Sequence, residues 1–524
     1  MKLSLVAALC GLGLSVPALA QPLDAVLRLK ERVPMETLAK SVLDPASPRY
    51  RQYYTPDEIR ALVGPADDEY RTLLANLAAE GLTVVRESPT HLVVTVRGEQ
   101  AAFARLFGVR LTQRDAETRT VSGEAVIPAA LAPVVSVSGL DTHRHSRPHF
   151  VLPAGGGLPP LGGGGVSVAQ IRTLYGFDAL YQRGLSGKGQ HIAIATYDDI
   201  DLSVVTSYYS QYGVSPAPTV DKVTFNGAPK ENDNSAMETA TDAEFSGALA
   251  PGAQIHIFTS ATNDDAGELA LFTAILDDNR AKIANYSWGD CEVNLSAQHK
   301  SDMAAVFARA VAQGVNLMVA SGDSGSACPT QVDSNGQPTG YTDPMADWPA
   351  AHPDVVAVGG TTLDTSSSAL SETAWSGSGS AGGGGGGIST LWDLPSWQQG
   401  LGAPYTKRSY PDVAFNANPS TGQTAIVKEF GFPFPTVIGG TSIAAPQWSA
   451  FMVLVGEARA TAGKQPLGFL NPVIYGMTSN DRVACFDDVT SGNNGKYTAG
   501  QGWDAVTGWG SMHAPALLDY LVAR

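Results

Sequence analysis

"KIANYSWGDCEVNLSAQHKSDMAAVFARAVAQGVNLMVASGDSG", residues 282–325, holds a strand, a helix and a second strand in one pass. "KIANYSWG" (282–289) and "VNLMVASGDSG" (315–325) are short strand-like runs. Between them "SAQHKSDMAAVFARAVAQG" has the length and spacing of a helix. Two strands joined by a helical crossover lie parallel in one sheet. The same alternation recurs on either side. "HIAIATY" (191–197) is a buried strand, "SAMETATDAEFSGALA" (235–250) a helix ended by Pro251-Gly252, and "QIHIF" and "DVVAVGGTTL" (354–363) are further strands. Repeated units of this kind predict an α/β domain, a parallel sheet with helices on both faces. Functional groups are then expected at the carboxyl ends of the strands. Asp323 stands at such an end, in a Gly-bracketed turn.

Residues before this domain follow a different grammar. "LDAVLRLK" at 23–30, the helix "DDEYRTLLANLAAEG" with Tyr70, Leu73, Leu74 and Leu77 on one face, and the strands "LTVVRES" and "HLVVTVRG" come first. The helix "EQAAFARLFG" and the strand "VRLTQR" complete a β-α-β-β-α-β order, the ferredoxin-like α+β arrangement. Thirteen residues, "PAGGGLPPLGGGG" (153–165), hold seven Gly and three Pro and read as a flexible linker. "HRHSRPH" (143–149) just before it reads as a polar tail rather than a metal site. The expected division is 1–20 signal peptide, 21–150 first domain, 151–165 linker and 166–524 second domain.

"MKLSLVAALCGLGLSVPALA" (1–20) has one Lys, an apolar run and a terminal Ala-Leu-Ala, the layout of an export signal cleaved after Ala20. Net charge is -16; residues 1–150 hold 17 Lys+Arg against 16 Asp+Glu, and residues 151–524 hold 17 against 34. The acidic body argues against nucleic acid or a membrane surface as partner. Export permits disulfides. Cys291 and Cys328 follow two strands that would emerge at one sheet edge, so they are expected to pair and leave Cys485 free. The glycines at 382–387 lack a following Lys-Ser/Thr, which excludes a P-loop, and read as a flexible surface loop.

"GGTSIAAP" (439–446) sets Ser442 between Gly-Thr and a helix start, like the nucleophile turn of a subtilisin-type peptidase. Such a serine needs a base. None of the nine His sits in a suitable context, and His191 and His256, inside apolar strands, read as core imidazoles. Glu238 and Asp242 stand four apart in "METATDAEFSGALAPGA" and share one face of a helix whose flanks are small or apolar. A carboxylate pair held there is costly without a task. Two rival readings are a hidden Ser-His-Asp triad, with Asp198 or Asp199, and a non-catalytic binding protein on the same fold.

"METATDAEFSGALAPGA", "NYSWG", "ASGDSG", "WPAAHPDVVAVGGT" and "GGTSIAAP", in that order, resemble the sedolisin family of serine-carboxyl peptidases, above all its kumamolisin-like members. "DPASPRYRQYYTPDEI" resembles the family's activation prodomain. The resemblance implies a subtilisin-like fold, with Ser442 as nucleophile, Glu238 as general base, Asp242 behind it, Asp323 as oxyanion donor and Trp288 in the substrate cleft. It also implies one bound Ca²⁺ in "FDDVTSGNNGKYTAGQGWDAVTGWG" (486–510), with carboxylates from Asp488 and Asp504 and carbonyls from Val489, Gly500 and Gly502. The implied partners are protein or peptide substrates and the chain's own prodomain, as inhibitor and folding aid. The implied setting is outside the cell and acidic.

Overall fold

In the computed structural model, which describes residues 22–115, 118–152, 165–227, 236–332, 338–402, 404–429 and 432–524, the strands read from 191 onward do pair in parallel. Their order is Thr219–Thr224, Gln254–Thr259, His191–Thr196, Ile283–Tyr286, Asn316–Ala320 and Val356–Leu363. Val413–Asn416 extends the parallel set beside Val356–Leu363, and Glu372–Ala374 adds an antiparallel edge. Ile192, Ala193, Ile194 and Ala195 are wholly buried, as a strand covered on both faces requires. The expected signal 1–20 and the linker residues 153–164 lie outside the described residues.

Helices Ala236–Leu249 and Thr441–Thr461 pack together against the sheet, and Asp265–Asp278 and Ala297–Ala312 form a second packed pair. Local sequence sets where they begin. Asp264 accepts from Gly267 N–H at one helix start and Ser296 from His299 N–H at the other. Each such cap is worth about 1 kcal/mol.

The first domain is a four-stranded antiparallel sheet, ordered Thr83–Glu87, Val93–Gly98, Leu23–Leu29 and Val134–Ser138, over the helices Asp67–Ala79 and Gln100–Phe107. The ferredoxin-like order stands, but its last strand is not "VRLTQR". Arg110–Gln113 pairs instead with Arg119–Ser122 in a separate hairpin. Neither face of that strand is buried, whereas Val134 and Val137 enter the core. Burial decides between two strand-like segments that propensity alone leaves equal.

This sheet rests on the helices Asp265–Asp278 and Ala297–Ala312. Arg28 Nε donates to Asp302 at 2.6 Å and Ser136 Oγ to the same oxygen at 2.8 Å. Arg86 reaches Asp277 at 2.8 Å, where Ser88 Oγ joins it at 2.7 Å. The segment that leaves this interface, 142–152, then crosses the carboxyl ends of the second domain's strands.

Candidate active site

Helix Ala236–Leu249 is buried from Glu238 to its end. Ser442 Oγ donates to Glu238 Oε2 at 2.7 Å; no histidine stands in that place. Asp242, one turn along, accepts from Ser287 Oγ at 2.7 Å, and Asn285 Nδ2 donates to that hydroxyl at 3.1 Å. Glu238 Oε1 and Asp242 Oδ2 are buried and have no partner among the described residues. Burial pushes both carboxyls well above the usual range, and for Glu238 the charge of Asp242 adds to it. A pair in this state shares protons, so its titration belongs to both residues.

Asp323 follows the strand Asn316–Ala320. Its Oδ1 accepts from Thr441 N–H at 2.7 Å and from Thr441 Oγ1 at 2.9 Å. Its Oδ2 is buried without a partner among the described residues, and burial raises the carboxyl to about 7. Below that pH Oδ2 can carry a proton and donate it. Gly440, at φ 108°, leaves the space into which Oδ2 points: a Cβ there would lie 2.6 Å from it.

The glycine run is not a flexible surface loop. Gly383 to Gly387 are buried. Gly383 N–H donates to the Asp323 carbonyl at 3.0 Å, Gly385 N–H to Gly322 at 2.7 Å, and Ser321 Oγ to Gly385 O at 2.7 Å. A Cβ on Gly385 would collide with the Ser321 carbonyl. The run is bare of side chains because backbone lies directly against the backbone of the Asp323 turn.

Residues 146–151 fill the cleft as an extended strand. Asn263 brackets Ser146, accepting from its N–H at 2.9 Å and donating to its carbonyl at 2.8 Å. Arg147 and Pro148 pair antiparallel with Gly289 and Trp288. His149 N–H donates to Ser287 O at 2.9 Å, and Val151 and Gly439 exchange both backbone bonds at 2.9 Å. Between them, Ser442 N–H donates to the His149 carbonyl at 3.0 Å. The His149 ring enters a pocket walled by Gly289, with Asp347 Oδ1 3.7 Å from Nε2. The "polar tail" therefore lies in the site, held by backbone bonds that its side chains did not announce.

Trp288 is buried edge-on against Tyr197 and presents its strand, rather than its indole N–H, to the occupant. His191 and His256 bond each other at 2.9 Å, and His256 bonds Asp221 at 2.5 Å, remote from Ser442. The disulfide joins Cys291 and Cys328, with Cα atoms 5.6 Å apart, and Cys485 is free and buried.

In the C-terminal loop, Asp504 Oδ2 accepts from Gly500 N–H at 2.9 Å and Asp488 Oδ2 from Gly502 N–H at 2.8 Å. Burial raises both carboxyls, and backbone N–H groups, with Thr507 Oγ1 at Asp504, are the counterweights. Neighbouring Asp487 keeps a buried oxygen without a partner among the described residues. Acidic oxygens in a carbonyl-rich turn are the donor chemistry of a hard dication. Among the described residues, no group of three or more His, Cys, Asp or Glu is gathered for a metal, so any such site would draw on main-chain carbonyls.

Comparison with known proteins gives two family matches: "Pro-kumamolisin, activation domain" over residues 19–143 and "Subtilase family" over 169–481. Kumamolisin of Bacillus sp. (strain MN-32) is 34% identical over 506 residues, covering 91% of this chain and 87% of the relative. Sedolisin of Pseudomonas sp. (strain 101) is 28% identical, covering 94% and 86%. The solved structure of Pseudomonas sedolisin, a serine-carboxyl proteinase complexed with two molecules of pseudo-iodotyrostatin, superposes with a TM-score of 0.59. It is 30% identical and covers 69% of this chain and 98% of that one.

Proposed function

Because the chain belongs to the sedolisin family, and is thereby a serine-type peptidase with an activation prodomain, we propose that it is an exported, acid-acting endopeptidase that processes itself. One observation carries this reading. Ser442 gives its Oγ–H to Glu238 and its N–H to the carbonyl of His149, so a peptide bond lies between base and oxyanion donors. Glu238 takes the hydroxyl proton as Oγ bonds the His149 carbonyl carbon. The charge that forms on oxygen is met by Ser442 N–H and the protonated Asp323. Glu238 returns its proton to the Phe150 nitrogen, the C–N bond breaks, and His149 is left as an ester on Ser442. Water, deprotonated by Glu238, then frees the acid. Asp242 shares the proton load of Glu238. A purely binding role would need none of these four groups in register.

Incubating the purified precursor in acid and sequencing the new N-terminus tests the bond. Phe150 is expected as the first terminus produced by Ser442. A first cut inside the glycine-rich stretch 153–164 would sink this assignment.

Asp488 and Asp504, with the carbonyls of Val489, Gly500 and Gly502, would hold one Ca²⁺, whose charge the loop's carboxylates otherwise lack. A ligand at about 100 times its Kd stabilises the folded state by about 2.7 kcal/mol. Chelator is therefore expected to lower the melting temperature by several degrees, and Asp504→Ala to melt like chelated wild type. Coincident melts with and without chelator would remove the ion.

Gly385→Ala tests the buttress. Its Cβ must push the Gly322–Asp323 backbone aside, and a displacement near 1 Å costs about 10²-fold in rate. A fall of that order in kcat/KM, with circular dichroism unchanged, is expected. Undiminished kcat/KM would show that the run does not set Asp323.

A further inference from the structure

Six residues before the His149–Phe150 bond, Arg144 drives its side chain into a socket of the peptidase domain, where it is 5% exposed. Its Nε donates to Asp265 Oδ1 at 2.5 Å, its Nη2 donates to Glu268 Oε2 and lies 3.0 Å from His299 Nε2, and its Nη1 faces Asp290 Oδ2 at 3.7 Å. Glu268 is fully buried and its other oxygen accepts from Trp348 Nε1 at 2.9 Å; Asp290 is 2% exposed. His299, 1% exposed, bonds Glu268 at 2.8 Å. Its Nδ1 has no hydrogen-bond partner among the described residues and faces Asp265 at 3.7 Å.

All the socket's walls belong to the peptidase domain, while its occupant belongs to the segment removed on maturation. With Arg144 gone, Glu268 and Asp265 keep only the His299 imidazole as a cationic neighbour in the socket, and Asp290 keeps the neutral Cys291 N–H and Asn294 amide on its other oxygen, around a cavity shaped for a planar fork of donors. Buried carboxylates without a counter-charge are costly, which gives the emptied socket a standing affinity for a cation. The three guanidinium nitrogens turn to three different carboxylates, Nε to Asp265, Nη2 to Glu268 and Nη1 toward Asp290, a spread that the planar fork of arginine covers and the single ammonium of lysine does not. The socket is also in register with the cleft. Asn263, one residue before the Asp264 cap of the Asp265–Asp278 helix, brackets the Ser146 backbone and accepts from His145 Nδ1 at 2.6 Å. The span from Ser442 to the socket is thus fixed by main-chain bonds that any peptide can make.

We propose that the mature peptidase keeps Asp265, Glu268 and Asp290, with His299, as a remote subsite that binds an arginine side chain six residues before the bond it cuts. This rests on the reading of His149–Phe150 as the bond presented to Ser442. Arg144 is then the precursor's own first substrate contact at that subsite, beyond its part in holding the prodomain down.

The test uses self-processed wild-type enzyme in acid and the decapeptide of residues 143–152, "HRHSRPHFVL", with Arg, Lys or Ala at the second place. Mass spectrometry reads the bond cut, and initial rates give kcat and KM. The arginine peptide is expected to show kcat/KM at least about 10-fold above the alanine peptide, with the difference in KM and lysine between them. Asp265→Asn at the socket rim, and Glu268→Gln within it, should bring the arginine-to-alanine ratio toward one. Two variants guard against misfolding of the buried one. Equal kcat/KM for the arginine and alanine peptides in wild type overturns the socket whichever bond is cut. A cut at another bond overturns the His149–Phe150 reading and the sixth-residue register with it, and persistence of the arginine preference in that case still supports a guanidinium site. Failure of an enzyme that has already processed itself to cut any of the peptides overturns the reading of 143–152 as a substrate segment, and the proposal with it.

Discussion

Ser442→Ala is expected to stay at full precursor length in acid, under conditions in which wild type is expected to shorten itself. Turnover of a second substrate should fall by about 10⁶, the scale on which a catalytic serine acting as a unit with its base is lost. The substitution removes one oxygen at a wholly buried site and leaves the Ser442 N–H, and so the bond to the His149 carbonyl, in place. The cleft should therefore stay filled, and the variant should trap the segment 146–151 in its present seat. Gel mobility and N-terminal sequencing after acid incubation read the outcome. A Ser442→Ala chain that matured at the wild-type rate, free of other proteases, would show that the nucleophile lies elsewhere.

What the sequence disclosed and what it hid follow a physical division. The gathering of Glu238, Asp242, Asp323 and Ser442 was legible because these side chains stand in short local motifs. The helix that carries the first two is buried on every side, which explains why so acidic a stretch is flanked by Ala, Phe and Leu. The parallel sheet was legible from alternation. The cleft occupant was not, because the segment Ser146 to Val151 is held largely through its own backbone N–H and C=O groups, which leave no residue signature. Arg144 was hidden for a different reason, as its carboxylate partners lie more than a hundred residues away. The glycine run misled for the opposite cause: composition that marks a loop in water also marks backbone packed on backbone. The last prodomain strand was read as "VRLTQR" because that run is strand-like, but the buried Val134 and Val137 give the place in the sheet to Val134–Ser138.

The remaining large effect lies in the two carboxyls that flank the serine, and pH separates their roles. Glu238→Gln keeps the size of the side chain but cannot accept the Ser442 proton, so turnover should fall by at least about 10²–10⁴. For Asp323 the sign runs the other way. Its carboxyl, raised to about 7 by burial, must hold a proton to donate, so its contribution is complete in acid and disappears as pH rises through that value. The wild-type alkaline limb should therefore fall near or below 7. On the acid side, the Glu238–Asp242 pair loses its base function once both members are protonated, which closes a bell-shaped profile. Asp323→Ala should cost about 10²–10³ through the lost oxyanion contact. Asp323→Asn is the sharper variant. Its amide oxygen can still accept from Thr441 N–H and Oγ1, which leaves the NH₂ where Oδ2 now points. An amide donates at every pH, so the alkaline limb of this variant should move upward while its acid limb stays. Measuring kcat/KM for wild type and Asp323→Asn from pH 3 to 9 decides the matter. An unchanged alkaline limb in an active Asp323→Asn enzyme would assign that limb to another group and take the oxyanion role from Asp323.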